Sequence, residues 1–292
     1  MPYPDIFFTA EYQDLFQDTA FGGEPCQFTY AGIDYRFYKR PIEGTPYYDI
    51  VSPYGYSGPV IIGDRQCILA NTKMWYEFLI KFSQNFCRPQ NIIAEFARIH
   101  PFEGMTDRLG NHYEHEIYYI DLTQSEKEIW KGFDKGCKSA IKKNVELACP
   151  TQFKRLYERT MDRLCADKAY YFTPRFWDKL KMIGLEESAP GAMAILLLHK
   201  PYAHYFLSAN ELGGNVNQLI WETALMLKDA GYEIFNLGGG LKAGDSLEHF
   251  KKSFTSTSKP FYTYRKIHDQ TVYNELSQGL ETDYFPAYRS KQ

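Results

Sequence analysis

The chain has 292 residues, 44% of them hydrophobic and 17% aromatic, which is more length than one ordinary core uses, so two domains of roughly 100–200 residues each are expected. Its 33 basic and 36 acidic side chains leave a formal net charge of −3, which excludes a chain-wide attraction to nucleic acid or anionic membrane and leaves such contacts to local patches. Six cysteines (Cys26, Cys67, Cys87, Cys137, Cys149, Cys165) form no C-x-x-C pair, against zinc and a disulfide framework; no leader and no apolar run of about 18 residues is apparent, so a soluble cytoplasmic protein is expected.

In chain order, Gln27 to Tyr38 alternates polar and aromatic side chains around Gly32, a hairpin pattern, and Pro53 to Pro59 (PYGYSGP) is a glycine and proline loop. Thr72 to Phe86 carries apolar residues at 75, 78, 79, 82 and 86, a helical stripe. Ile92 to Ile99 reads as a strand ending at His100-Pro101, and Glu116 to Leu122 as another. Helices are expected over Thr123 to Val145, Gln152 to Lys168 and Thr173 to Ile183, the last with Pro174 in its first turn. Ala192 to His199 and Ala203 to Ala209 form a hairpin about Lys200-Pro201-Tyr202. A helix over Asn217 to Asp229, a strand over Tyr232 to Leu237, a glycine loop, a short helix ending near Phe254 and a strand over Phe261 to Ile267 complete the pattern.

The stretch Asn236 to Phe254 (NLGGGLKAGDSLEHFKKSF) concentrates the chemistry. Gly239, Gly244 and Ser246 have the spacing of a phosphate-binding P-loop, but its lysine position is Asp245, and a carboxylate there repels phosphate. Asp245 reads instead as the N-cap of a helix starting at Ser246, with Glu248 completing a capping-box-like pair. Phe250 and Phe254 then share one face and Lys251 stands on the adjoining one.

Three fragments, in order, carry a family resemblance: Tyr48 to Pro59 (YDIVSPYGYSGP), Phe96 to Pro101 (FARIHP), and Phe235 to Gly240 (FNLGGG) running on through Asp245 to Phe254. Together they resemble the FemAB-like branch of the GNAT acyltransferase superfamily, whose core order of strand, strand, helix, strand, helix, strand the second half also follows. The resemblance implies an α/β (α+β) fold of two tandem GNAT-like domains, each a mixed, mostly antiparallel sheet flanked by helices. We set these at residues 1–122 and 123–268, with the tail 269–292 packing back on the first domain. It further implies transfer of an acyl or aminoacyl group to an amine of a cell-envelope precursor, in peptidoglycan or a surface polysaccharide. The donor is aminoacyl-tRNA or acyl-CoA as a co-substrate, with no permanently bound cofactor. The chain lacks the coiled-coil insertion of some bridge-forming members and the R/Q-x-x-G-x-G/A loop of ordinary acetyl-CoA enzymes. The rival readings are an acyl-CoA-dependent N-acetyltransferase acting on a nucleotide-linked amino sugar, and a GNAT-shaped module that binds nucleotide sugars without chemistry.

The resemblance assigns Lys251, beside Phe250, to the oxyanion that forms when an amine attacks an acyl carbonyl; a solvated lysine near a helix end is the plain alternative. Gly238, Gly239 and Gly240 either let a ligand approach the backbone or only turn the chain. Lys135, Lys138 and Lys142, with Lys131 before them and Lys143 alongside, advance by threes and fours on one helical face and can contact phosphate or simply be solvated. Arg98 and His100 close a strand, where an arginine can clamp a phosphate or carboxylate or pair with a nearby acid to orient the loop. Tyr54, Tyr56 and Ser57 can contact a sugar or base, or pack. Asp245, in the third fragment, is a further substrate-binding candidate, and Tyr205 and Ser208, with Asp49 and Asn217, match family positions loosely. His112 and His115 point to opposite sides of a strand, so no metal site is expected there. No histidine or cysteine nucleophile with a partner is evident, so direct transfer without a covalent enzyme intermediate is expected, the amine's proton leaving to a phosphate or carboxylate of the substrate.

Overall fold

The computed structural model describes residues 3–62, 72–103, 109–143, 145–240, 242 and 244–290, so Cys67 and Asn144 lie outside the described residues. The chain forms two compact units, residues 1–113 with 261–292, and residues 114–260. The boundaries expected at 122 and 268 lie at the far ends of two strands, His112–Asp121 and Ser258–Ile267, whereas the units divide near the starts of those strands. Continuous strands carry the chain across, so no change of composition marks the division.

In the first unit, β1 (Glu24–Tyr30) and β2 (Ile33–Pro41) form the expected hairpin. Its two-residue turn, Ala31 and Gly32, has positive φ at both positions, the geometry that matches strand twist. β2 pairs with β3 (Tyr48–Val51) and with the short β4 (Val60–Ile61), and β3 runs parallel to β5 (Ile92–Arg98), which pairs in turn with the main part of β11 (Ser258–Ile267). A first helix, α1 (Ala10–Phe16), capped by Thr9, is not expected from the sequence. Helix α2 (Thr72–Phe82), continued by a π turn to Cys87, lays Trp75, Phe78 and Phe82 on a core of Ile33, Tyr35, Phe37 and Ile50. The closing segment contributes Tyr288 and the partly buried Val272, Tyr273 and Leu276 to a cluster with Ile42, Ile93 and Ala94. Buried Asp49 binds two arginines, Arg40 Nε at 2.9 Å and Arg289 Nε at 2.8 Å.

In the second unit the strand order is β6 (His112–Asp121), β10 (Ile234–Gly239), β9 (Tyr202–Asn210), β8 (Ala192–His199) and β7 (Gly184–Ala189); among the described residues only β9 and β10 of these run parallel. The crossover between them is the helix α7 (Val216–Asp229), which buries Leu219, Ile220, Ala224 and Leu227 against the sheet. The mixed α/β class is thus the one the sequence indicates. The strand β7 escapes a reading of the sequence because GLEESA is too polar to suggest one; it is an outer strand pairing only β8 on the described path.

The single helix expected over residues 123–145 is two: α3 (Glu126–Gly132), with a capping box from Ser125 and Glu128, and α4 (Lys135–Lys142), capped by Asp134. Phe133 leaves the helical path to bury its ring against Trp221 and Phe254, 5.5 Å away in each case. Lys131 and the three lysines after it therefore do not share one helical face. Lys135, Lys138 and Lys142 still lie along α4, and Lys138 Nζ donates to the Lys131 carbonyl at 3.1 Å. Among the described residues, no helix is long and apolar enough to cross a membrane.

Candidate functional site

The parallel pairing of β9 and β10 covers three residue pairs, Tyr202 with Ile234, Ala203 with Phe235 and His204 with Asn236, although β9 runs on to Asn210 and β10 to Gly239. At the last pair, the buried side chains of Asn236 and His204 meet at 3.1 Å. Just beyond it β10 carries an irregularity against β6, with Asn236 facing Tyr119 and Gly238 facing Tyr118. Such a bulge bends a strand and re-aims the residues after it. The strands part there, and the unpaired edge leads into the glycine loop.

Each glycine of the triplet has a local reason. Gly238 has φ +76°, and its N–H donates to Asn236 Oδ1 at 2.9 Å. A Cβ on Gly239 would lie 2.4 Å from His115 Cδ2 and 2.6 Å from the Glu116 carbonyl oxygen. One on Gly240 would strike the Asp245 carboxylate at 2.4 Å. That carboxylate is the N-cap of α8 (Ser246–Lys252), accepting from Glu248 N at 2.7 Å and Lys242 N at 3.0 Å. Glu248 departs from a true capping box: it reaches back to the N–H of Gly244 at 2.6 Å and accepts from the Tyr118 hydroxyl at 3.0 Å. The Gly244 bond, with Tyr118 assisting, holds its carboxyl below the usual range.

This frame sets Lys251. Phe250 is half-buried and meets Phe254 edge-on at 5.1 Å, fixing the turn of helix that carries the lysine. The Lys251 side chain is half-buried, its ammonium withdrawn among protein atoms, and Nζ donates to the Gly239 carbonyl at 2.6 Å. Among the described residues that is the only acceptor it has, so two of its three hydrogens are unused. Burial pulls its pKa down to about 8, against a smaller opposing pull from Asp245. His115, half-buried beside Gly239, is held below the ordinary imidazole value, chiefly by burial, with Lys251 adding to the effect and Glu114 opposing it. Sequence alone presents this histidine only as a candidate metal ligand. The register of β6 on β10, Ile117 opposite Gly239, is the signal that finds it, and that register is a tertiary fact.

Tyr205, the first β9 residue past the parted pair, has a buried hydroxyl with no hydrogen bond of good geometry; burial pushes its phenol up to about 12, with Ser208 acting the other way. A separate cavity of about 540 Å³ in this unit, lined among others by Gln152, Lys154, Trp177 and Glu186, shares no residue with the Lys251 constellation.

The residues expected in the first unit divide. His100 is fully buried and committed to the protein: Nε2 lies 2.7 Å from Asp5 Oδ2 and Nδ1 accepts from Phe102 N–H at 3.2 Å. It does not face solvent, because the chain uses it to hold Asp5 at the start of the fold. Tyr56 is buried between Phe7 at 5.1 Å and Phe261 at 5.6 Å, and Ser57 donates its N–H to the Arg98 carbonyl at 2.6 Å. These three build the loop's interior. Tyr54 is half-buried, and its ring lies 6.0 Å from the Arg98 guanidinium.

No family model matches the sequence, and no curated protein is similar to it. Among solved structures, FemX superposes with a TM-score of 0.66 at 11% identity, over 93% of this chain and 94% of that one. L-PGS from Bacillus licheniformis superposes with a TM-score of 0.52 at 12% identity, over 92% of this chain and 94% of that one. At such identities the likeness is one of fold. The shared fold, that of FemX and L-PGS, extends over nearly the whole chain.

Proposed function

We propose that the protein is an acyltransferase whose second unit moves an acyl or aminoacyl group to an amine of a cell-envelope precursor. The observation that carries this reading is the Lys251 ammonium, anchored by one bond to Gly239 and left with two free hydrogens at the mouth of a parted strand pair. When the amine nitrogen attacks the acyl carbonyl, negative charge appears on that oxygen, and a fixed, partly desolvated cation stabilises it more than it stabilises the neutral ground state. Collapse of the adduct re-forms the carbonyl and expels the carrier oxygen or sulfur. The amine's proton passes to a phosphate or carboxylate of the substrate, or to the neutral imidazole of His115.

The parted edges of β9 and β10 suit an amide-bearing carrier, which hydrogen-bonds along an open strand as a further strand would, and so favour acyl-CoA as a donor. Lys135, Lys138 and Lys142 suit the phosphates of either CoA or a tRNA. The likeness to FemX supports the envelope precursor as acceptor, in keeping with a cytoplasmic enzyme. The rival, N-acetylation of a nucleotide-linked amino sugar, shares the same chemistry.

The test offers labelled aminoacyl-tRNA and labelled acetyl-CoA in parallel with amine-bearing envelope precursors and amino sugars. Transfer from one donor is expected, and Lys251→Met should lower kcat by about 10²–10³ while the protein stays folded. Full activity in that variant, or binding without turnover for every donor, would remove the reading.

A further inference from the structure

We propose that the cavity of about 540 Å³ in the second unit is a binding site for a short apolar peptide, held by its free carboxylate and ammonium ends. The inference does not use the transferase reading, and the cavity shares no residue with the Lys251 constellation.

The cavity is walled by two helices, α5 (Phe153–Leu164) and α6 (Pro174–Ile183), and by β7 and β8. Its volume falls in the range of small-molecule sites. Phe153, Trp177, Leu180 and Ile195 give it an apolar wall. Glu186 of β7 and Ile195 of β8 are register partners, so both project from one face of the sheet into that space.

Two sets of donors in these walls go unused. Gln152, at the N-cap position of the twelve-residue α5, makes no capping bond with its side chain, and the first turn holds no acid. Leu156 N–H reaches the Gln152 carbonyl at 3.2 Å, but the N–H groups of Phe153, Lys154 and Arg155 have no acceptor among the described residues. Lys154 and Arg155 add cations where the helix dipole is already positive, so a carboxylate is the group this end lacks. Independently, Trp177 of α6 lines the same cavity at 5% exposure, and its buried Nε1 has no acceptor among the described residues. A buried donor left unpaired is costly.

The charged side chains of the lining reduce to one of each sign. Lys154 meets Glu158 at 3.8 Å, and Lys181 meets Asp178 at 3.7 Å. Among the described residues, Arg155 on α5 and Glu186 on β7 have no ion pair, and although both line the cavity they do not pair with each other. A ligand carrying both charges at separated ends bridges them: its carboxylate at the Arg155 fork and the start of α5, its ammonium at Glu186. A single amino acid bears both charges on one carbon, whereas a peptide spaces them and lays its apolar side chains on the wall between.

The experiment titrates the full chain with the dipeptide Leu-Phe, its C-terminal amide and its N-acetyl form, followed by calorimetry and by tryptophan fluorescence. The proteins are the wild type, Arg155→Ala, Glu186→Gln and Trp177→Phe; Arg155 and Glu186 are exposed, so their variants keep the fold. Leu-Phe should bind saturably to the wild type, and the amide and the N-acetyl form each at least about tenfold more weakly. Arg155→Ala should weaken Leu-Phe about as much as amidation does and add little to it, because both remove one interaction; Glu186→Gln should stand in the same relation to N-acetylation. Trp177→Phe should abolish the fluorescence change on binding. The proposal is overturned if Leu-Phe does not bind saturably, if blocking its ends or replacing Arg155 and Glu186 leaves affinity unchanged, or if the fluorescence change survives in Trp177→Phe.

Discussion

Among the described residues each unit contains one parallel strand pair, and the two pairs are finished differently. In the first unit, β3 and β5 pair from Tyr48 with Ile92 to Val51 with Phe96, with one register shift after Tyr48, and the chain beyond keeps bonding through Ser52 to Phe96 and Ser57 to Ile99. In the second, pairing stops at His204 with Asn236, and a bulge and three glycines come next. The PYGYSGP loop seals the first pair with buried aromatics, whereas the glycine loop leaves the second open and sets one lysine at its rim. The difference teaches that equally distinctive motifs differ in use: one loop packs inward on buried aromatics, and the other follows the end of the pairing and anchors a half-buried lysine at its carbonyl.

The closed unit should depend most on its buried ion cluster. Asp49→Ala leaves Arg40 and Arg289 without their carboxylate and should cost about 3–5 kcal/mol in a denaturant titration. A loss well under 1 kcal/mol would break the picture of a unit closed by internal pairing. At the open pair, Gly239→Ala must fit a methyl 2.6 Å from the backbone oxygen of Glu116, which cannot swing aside as the His115 ring can. A loss of about 1–3 kcal/mol is expected, with a shifted His115 ring resonance; an unchanged melting curve would mean that the glycine is spared for a ligand alone. A smaller effect is expected from Asp245→Ala: loss of the α8 N-cap costs about 1 kcal/mol. Because Asp245 raises the Lys251 pKa, the variant should lower it further, and a rise would contradict the geometry.

Much of this fold is legible in the sequence because periodicity reports burial. The stripe at 75, 78 and 82 is the buried face of α2, and Asp245 with Ser246 locates the start of α8. The break at Phe133 is not legible, because the residues on both sides favour helix and the pull is tertiary, from Trp221 and Phe254. In the site, Lys251 is reached through the family resemblance; its bond to Gly239 and its burial require the fold. His100 shows the reverse: the sequence places it as a candidate at a strand end before proline, and only its bond to Asp5 in the fold shows that it is buried.

The central claim is that the Lys251 ammonium is withdrawn from water and held at the Gly239 carbonyl. Its folded-state pKa then lies below the ordinary 10.5, so the unfolded chain holds more protons between about 8 and 10.5, and stability should rise with pH across that window, the cost of the buried charge being fully present below it. The most direct test is an NMR titration of the Lys251 Cε resonance in the folded wild-type protein, assigned by its loss in Lys251→Met. A midpoint near 8 is predicted; a midpoint at the ordinary lysine value would place the ammonium in bulk water and contradict the account.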